Sequence, residues 1–386
     1  MSSEDHMDQF EDEGEETIVE EGDDHDDIVD DNNDDMDEDQ DKEEILLEDD
    51  SVQGFFAHKE PVFSVDLHPQ QQHLAVSGGS DDRAYLWRLD TGEQVAALAQ
   101  HGDSVSSVKF SSDGSLVASG GMDGKVHVYR TADPYAQCAT LEGPDEIQFV
   151  TWHPKGAVLL AGAHDASLWM WSLPTGAFMQ CFSGHSAPVT CGQFTHSGRH
   201  IVSGAEDGSV IVWDPKSAAI VRQFTSADER FHQDAVTCLA VSRDDQVILT
   251  GSVDSTAKLV HVNGTILGSL SGATESVEAV GLCDALPLAA TGSVDGSLSI
   301  WDINTMRLRT TLRHDDSVTR VVWHDGEPLL TSVSMDCSVR TWDARTGECV
   351  RTWRGHQAGI MDVALTRDGR TAVTASDDGC CLVFSE

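Results

Sequence analysis

The feature that most limits what this chain can fold into is an aspartate that returns at nearly constant spacing. Asp81, Asp123, Asp165, Asp207, Asp254, Asp295, Asp336 and Asp378 are separated by 42, 42, 42, 47, 41, 41 and 42 residues. Six residues after each stands a large or apolar side chain: Trp87, Tyr129, Trp171, Trp213, Val260, Trp301, Trp342 and Phe384. Short β-branched stretches bounded by turn residues fill the intervals, as in Val105–Phe110, Leu116–Ser119 and Lys125–Tyr129. A unit of four short strands cannot bury its own apolar faces, so consecutive units must stack on one another. Eight such units over residues 51–386 predict an all-β chain folded as an eight-bladed propeller.

A second register runs beside the first. Twenty-two residues before the aspartate stand His101, His185, His232, His314 and His356, with His58 offset by 23. The third and sixth repeats carry Gly143 and Ala273 there. Four residues before the aspartate stand Ser77, Ser119, Ser203, Thr250, Thr291, Ser332 and Thr374, with Ala161 in the third repeat. His, Ser and Asp are the ingredients of a hydrolase triad. An active site is built once, however, and this set recurs in six of the eight repeats. The expected role is structural: buried polar groups that satisfy one another, completed by a Trp indole N–H. That reading applies to His58, Ser77, Asp81 and Trp87, to His185, Ser203, Asp207 and Trp213, and to His314, Ser332, Asp336 and Trp342. No catalytic residue is assigned.

The ends of the repeats predict how the ring closes. The last repeat supplies three strands, near Ile360–Leu365, Thr371–Ala375 and Cys381–Phe384, and the sequence ends at Glu386. The spare strand lies at the other end, Val52–Ala57. Its pairing with the last blade would remove two open sheet edges. The longer interval between Asp207 and Asp254 predicts one extended loop over Ser226–Asp234.

Charge excludes several functions. The chain holds 24 Lys+Arg against 67 Asp+Glu, a net charge of −43. Residues 1–50 contribute 27 acids and one base, Lys42. Such a segment cannot bury enough apolar surface to order itself, so it reads as a disordered acidic tail. Its small apolar islands, Ile18-Val19, Ile28-Val29 and Ile45-Leu46-Leu47, are either incidental or short strand-adding motifs. Phosphate would be repelled, which argues against direct nucleic-acid binding, and an anionic membrane is disfavoured for the same reason. A basic protein segment is the electrostatic complement.

Nine cysteines at irregular spacing, without C-x-x-C, predict neither a disulfide framework nor a thiolate metal site. No H-E-x-x-H or phosphate-binding glycine loop occurs, so no metal or cofactor is expected. With no apolar leader or membrane-length stretch, the expectation is a reduced, monomeric protein of the cytoplasm, with the nucleus as a second compartment.

The repeat marks over residues 52–386 identify the chain as a member of the WD-repeat proteins. Its irregular third, fifth and sixth repeats, Trp152–Trp171, Ile248–Val260 and Leu286–Asp302, narrow the match. So do the acidic N-terminus and the stretch Val76–Glu93. Together they resemble the angio-associated migratory cell protein family and are similar to its fungal counterpart, an eight-bladed ribosome-assembly chaperone. The resemblance implies escort of a newly made, basic large-subunit ribosomal protein. Its alternative implication is a signalling scaffold in cell migration and angiogenesis.

In WD propellers the His-bearing loop and the Asp-bearing turn share one face, the one that usually binds partners. Register then places Glu60, Asp103, Asp145, Asp234, Glu275 and Asp316 there, two residues after the His position. Glu206 and Asp377 join them from the position before the loop Asp. These eight are the candidate partner-binding acidic face. Each could equally be present to stabilise its turn. Arg307, Arg309, Arg313, Arg320, Arg340, Arg345, Arg351 and Arg354 gather in repeats six to eight, either as a basic sector or as ordinary surface arginines.

Overall fold

The computed structural model describes residues 48–98 and 100–386. The tail expected over residues 1–50 lies outside the described residues apart from Glu48, Asp49 and Asp50. Each repeat forms one four-stranded antiparallel sheet, giving eight blades. The inner strands begin at Val62, Val105, Ile147, Val189, Val236, Val277, Val318 and Ile360, and these define blades 1 to 8. All eight first residues are fully or almost fully buried. Directly after each, the pairing register slips by one residue. Such a bulge turns the next side chain out of the ladder and bends the strand. In four blades the bulged residue is Ser106, Thr190, Thr237 or Thr319. Its hydroxyl donates to the carbonyl of Ile147, Val236, Val277 or Ile360, the first residue of the next blade. A hydroxyl therefore ties inner strand to inner strand at four of the eight blade interfaces.

Apolar packing does the rest. Eight clusters of buried side chains each straddle one interface between neighbouring blades. The interfaces are close because the residue after the repeated Ser or Thr is Gly in five blades, and Gly162 follows Ala161 in a sixth. At Gly78, a Cβ would lie 2.6 Å from Val105 Cγ1 of the next blade.

The ring closes as the strand arithmetic requires. Gln53–Phe55 pairs antiparallel with Cys381–Ser385 and becomes the outer strand of blade 8. Phe55 is buried and stacks on Trp87 of blade 1, centroids 5.0 Å apart and planes 7° from parallel. Phe56, just past the end of this strand, is by contrast 67% exposed. The long loop between blades 4 and 5 is pinned by Phe231, which is buried and stacks on Phe224 at 5.4 Å. No helix among the described residues is long and apolar enough to cross a membrane.

The eight inner strands line a central channel of about 570 Å³. Two ion pairs join inner strands here, Lys109 Nζ to Asp66 Oδ1 and Arg320 Nε to Asp362 Oδ1, both at 3.2 Å. Burial pushes the Asp66 carboxyl above its ordinary value despite Lys109. Cys191 and Cys238 also line the channel, and burial raises each thiol to about 12, which keeps them protonated and unreactive.

Candidate functional site: the acidic end of the ring

The turn before each third strand and the loop before each inner strand meet at one end of the ring. A backbone hydrogen bond joins them in every blade. Its donors are Ser80, Met122, His164, Glu206, Val253, Val294, Met335 and Asp377. Their acceptors are the carbonyls of Pro61, Ser104, Glu146, Pro188, Ala235, Ser276, Ser317 and Gly359, at 2.8–3.0 Å. The two sequence positions singled out above are therefore neighbours in space in all eight blades.

Under this surface lie the His–Ser/Thr–Asp sets. His314 Nδ1 meets Asp336 Oδ2 at 2.9 Å, its Nε2 meets Ser332 Oγ at 2.7 Å, and Trp342 donates to the same Oγ at 2.8 Å. His58 joins Asp81 at 3.0 Å and Ser77 at 2.9 Å. His185 joins Ser203 at 2.7 Å, and Trp213 donates to that hydroxyl at 2.8 Å. Here Nδ1 faces Ser209 Oγ at 2.8 Å and Asp207 only at 3.5 Å. Trp87 departs from the expectation. Its indole N–H is buried and meets no acceptor among the described residues. The ring instead lies flat against Phe55 of the closing strand.

The electrostatics of these sets fit a supporting role. Burial alone would raise the Asp336 carboxyl. Hydrogen bonds from His314, Ser338 and the Asp315 N–H outweigh it and hold the group well below the usual carboxylate range. Asp207 and Asp254 are lowered in the same way by His185 and His232. Asp295 has no histidine and is lowered by Ser297 and Thr274, so a threonine does that work in blade 6. Every aspartate also accepts backbone N–H groups that shape the loop, as Asp123 does from Gly102 at 2.8 Å. One cluster, His101, Asp123 and His127, brings potential ligand atoms within 4.8 Å of one another. Both His101 nitrogens are already engaged, with Asp123 and Ser119.

Above the sets lies a pattern that the linear register hides. Glu60, Asp103, Asp145, Asp234, Glu275 and Asp316 are all exposed, and they belong to blades 1, 2, 3, 5, 6 and 7. Blades 4 and 8 have Ala187 and Ala358 at that position. These are the two blades whose neighbouring turn position carries an acid, Glu206 and Asp377, both exposed. Each blade thus presents one carboxylate at this paired position. In Asp103, Asp234 and Asp316 one oxygen accepts the next residue's N–H, at 2.7, 2.8 and 2.7 Å. The second oxygen of each remains available, so turn stabilisation and outward charge coexist in one side chain. Asp145 is accompanied by His164 at 3.9 Å.

Cations break the ring's symmetry. Lys59, Arg83 and Lys125 are exposed at this end, in blades 1 and 2. Five of the eight gathered arginines of blades 6 to 8 are paired with carboxylates, while Arg307, Arg309 and Arg313 lie exposed on the outer strand of blade 6. Arg340 is held by Asp315 and Asp336, Arg345 by Asp343, Arg351 by Glu386, and Arg320 by Asp362 in the channel. Arg354 pairs with Glu48 at 2.9 Å, and its backbone exchanges hydrogen bonds with Asp50.

Comparison with known proteins places this architecture. The WD domain, G-beta repeat family matches residues 50–88 and 92–130, and the Nucleolar protein 10-like, N-terminal domain family matches residues 133–385. Human angio-associated migratory cell protein is 37% identical over 352 residues, covering 87% of this chain and 80% of the relative. The chain belongs to the WD-repeat family of angio-associated migratory cell protein. A WD repeat-containing protein of Schizosaccharomyces pombe is 42% identical, covering 88% of this chain and 87% of its own length. Among solved structures, Chaetomium thermophilum Sqt1 bound to the N-terminus of the ribosomal protein L10 superposes with a TM-score of 0.83 at 28% identity. It covers 88% of this chain and 100% of that one. Saccharomyces cerevisiae Sqt1, at 23% identity and a TM-score of 0.82, shares the fold.

Proposed function

We propose that this protein is a non-enzymatic binding module that escorts a newly made, basic large-subunit ribosomal protein through the cytoplasm. The client would be held by a basic segment against the acidic end of the ring. The observation that carries the reading is one exposed carboxylate per blade at the paired loop position, reached from two different sequence positions. Turn stabilisation alone would not require Glu206 and Asp377 where Ala187 and Ala358 stand. An arginine-rich segment fits such a surface because guanidinium and carboxylate form paired, charge-assisted hydrogen bonds. The likeness to Sqt1 in complex with a ribosomal-protein N-terminus supports the class of client. A monomer suffices, since all eight carboxylates come from one chain.

Affinity capture at low and high salt, read by mass spectrometry, tests this. One dominant basic ribosomal protein that is released as salt rises supports the escort reading. A mixture of neutral and acidic signalling proteins, insensitive to salt, would replace it with a scaffold role.

A further inference from the structure

We propose that the acidic end also carries an apolar seat over blades 5, 6 and 7. Its occupant is a basic segment whose arginines alternate with large apolar residues, rather than a purely polycationic one. The inference rests on the reading of this end as the client site and adds what the client must contain besides charge.

Three consecutive blades place Val253, Val294 and Met335 at the turn position before the loop Asp. Val253 is 43% exposed and Val294 37%, and Met335 is half-buried. Their N–H groups make the same hydrogen bond, to Ala235, Ser276 and Ser317 at 3.0, 3.0 and 2.9 Å, so the three side chains leave equivalent points of the ring. Nothing in the turn demands an apolar residue. Ser80, His164, Glu206 and Asp377 make the equivalent bond at 2.8–2.9 Å elsewhere. Valine at such a point gains little from folding, since its apolar surface stays partly in water. Contiguity over three blades makes a patch where scattered residues would not.

The surroundings select the occupant. Asp234, Glu275 and Asp316 stand beside the patch in the same three blades, and Asp315 adjoins it. Lys59, Arg83 and Lys125 lie away from it, in blades 1 and 2; Arg340 beside it is already held by Asp315 and Asp336, and Arg313 donates to the Asp295 carbonyl. A second copy of this chain would bring its own carboxylates to the contact, and a net charge of −43 opposes that. A segment with arginines facing the carboxylates must lay its other side chains on the points between them. Val253, Val294 and Met335 are those points.

Two synthetic peptides of equal length and arginine content test the seat. One carries Gly and Ser between its arginines, the other Leu and Tyr. Binding is measured by titration calorimetry to the full chain, to V253T/V294T, which keeps the β-branched shape and removes apolar surface, and to D234K/D316K. The full chain should prefer the Leu/Tyr peptide by roughly tenfold, the effect of burying one or two apolar side chains. V253T/V294T should lose that preference while holding the Gly/Ser peptide unchanged. Equal affinity of the full chain for both peptides, or a preference that survives V253T/V294T, overturns the seat. Arginine stems would then be what covers the valines. If D234K/D316K still binds both peptides fully, the client-face reading itself fails, and that outcome is separate from loss of the seat. Should V253T/V294T melt early, the single substitutions V253T and V294T read the same preference.

Discussion

Replacing Asp336 with alanine should cost far more stability than the same change at Asp165, although the two occupy the same position of the repeat. Asp336 accepts from His314 Nδ1 at 2.9 Å, Ser338 Oγ at 2.6 Å, Ser338 N at 2.9 Å, Asp315 N at 3.0 Å and Arg340 Nη2 at 3.1 Å. Its side chain is 6% exposed, and that of His314 is 0%. Alanine would leave these donors without an acceptor where water has little access. Removing one partner of a buried, hydrogen-bonded charged set costs about 3–5 kcal/mol. Asp165 lies in a blade without the histidine. It is exposed and accepts only from Ser167, through N at 3.0 Å and Oγ at 2.6 Å. Water can replace it there, so D165A should cost about 0.5–1.5 kcal/mol. The midpoint of urea unfolding at unchanged m value reads both. The effect of pH adds a check. Because the Asp336 carboxyl is held below its ordinary value of 3.8, its contribution is present above that pH and is lost as pH falls through the folded-state value. The gap between the parent and D336A should therefore shrink below about pH 4. Equal losses for D336A and D165A, or a gap that stays constant into acid, would refute the view that these sets hold up the blades.

Three further outcomes follow from the same geometry. Removal of residues 1–50 should leave the melting temperature nearly unchanged, whereas removal of 1–58 should lower it by many degrees. The second deletion opens the blade 8 edge and strips Phe55 from Trp87; equal melting of the two would contradict closure by this strand. W87F should be milder than W342F by about 1 kcal/mol, since Trp342 donates to Ser332 and the Trp87 indole has no acceptor to lose; comparison of unfolding midpoints reads it. Burial, with His101 nearby, lowers His127 from 6.5 to about 4, so it folds as a neutral imidazole. Its contribution is full above pH 6.5 and is lost as pH falls towards 4, and H127N should remove that part of the pH-stability slope.

The repeat made the ring legible because each blade depends on the same few residues at fixed offsets. The Asp spacing alone implies eight blades, and the missing fourth strand after Phe384 points to Val52–Ala57, of which Gln53–Phe55 forms the pairing. Features set by a neighbour in space were less visible. Trp87, unlike Trp342, finds no acceptor among the described residues, and its face is covered by Phe55, more than thirty residues earlier in the chain. The exposure of Phe56 follows from the pairing strand ending at Phe55, a boundary the sequence does not mark. The channel pairs Asp66–Lys109 and Arg320–Asp362 fall on inner strands, where the loop-based register has no marker. The one-carboxylate pattern could have been read from the sequence by comparing the two loop positions blade by blade. It escapes a scan of either position alone, because blades 4 and 8 appear there as gaps. Pairing of the clustered arginines depends on partners such as Asp315, Glu386 and Glu48, and those contacts exist only once the ring is formed.

The claim that one end of the ring recognises a basic client is tested most directly by reversing its charge. Glu60, Asp103, Asp234 and Asp316 come from blades 1, 2, 5 and 7 and are all exposed, so their joint replacement by Lys should leave the fold intact. The comparison set is Glu93, Asp325, Glu327 and Glu348, all exposed, in or at the end of the turns that join first to second and third to fourth strands. Both variants change net charge by the same amount, and client affinity is measured by calorimetry over a range of salt. The account predicts that the rim variant loses binding, while the comparison variant keeps nearly full affinity and the same steep salt dependence. Equal weakening by both sets would mean that bulk charge alone attracts the client, and unaltered binding by the rim variant would place the client elsewhere on the protein.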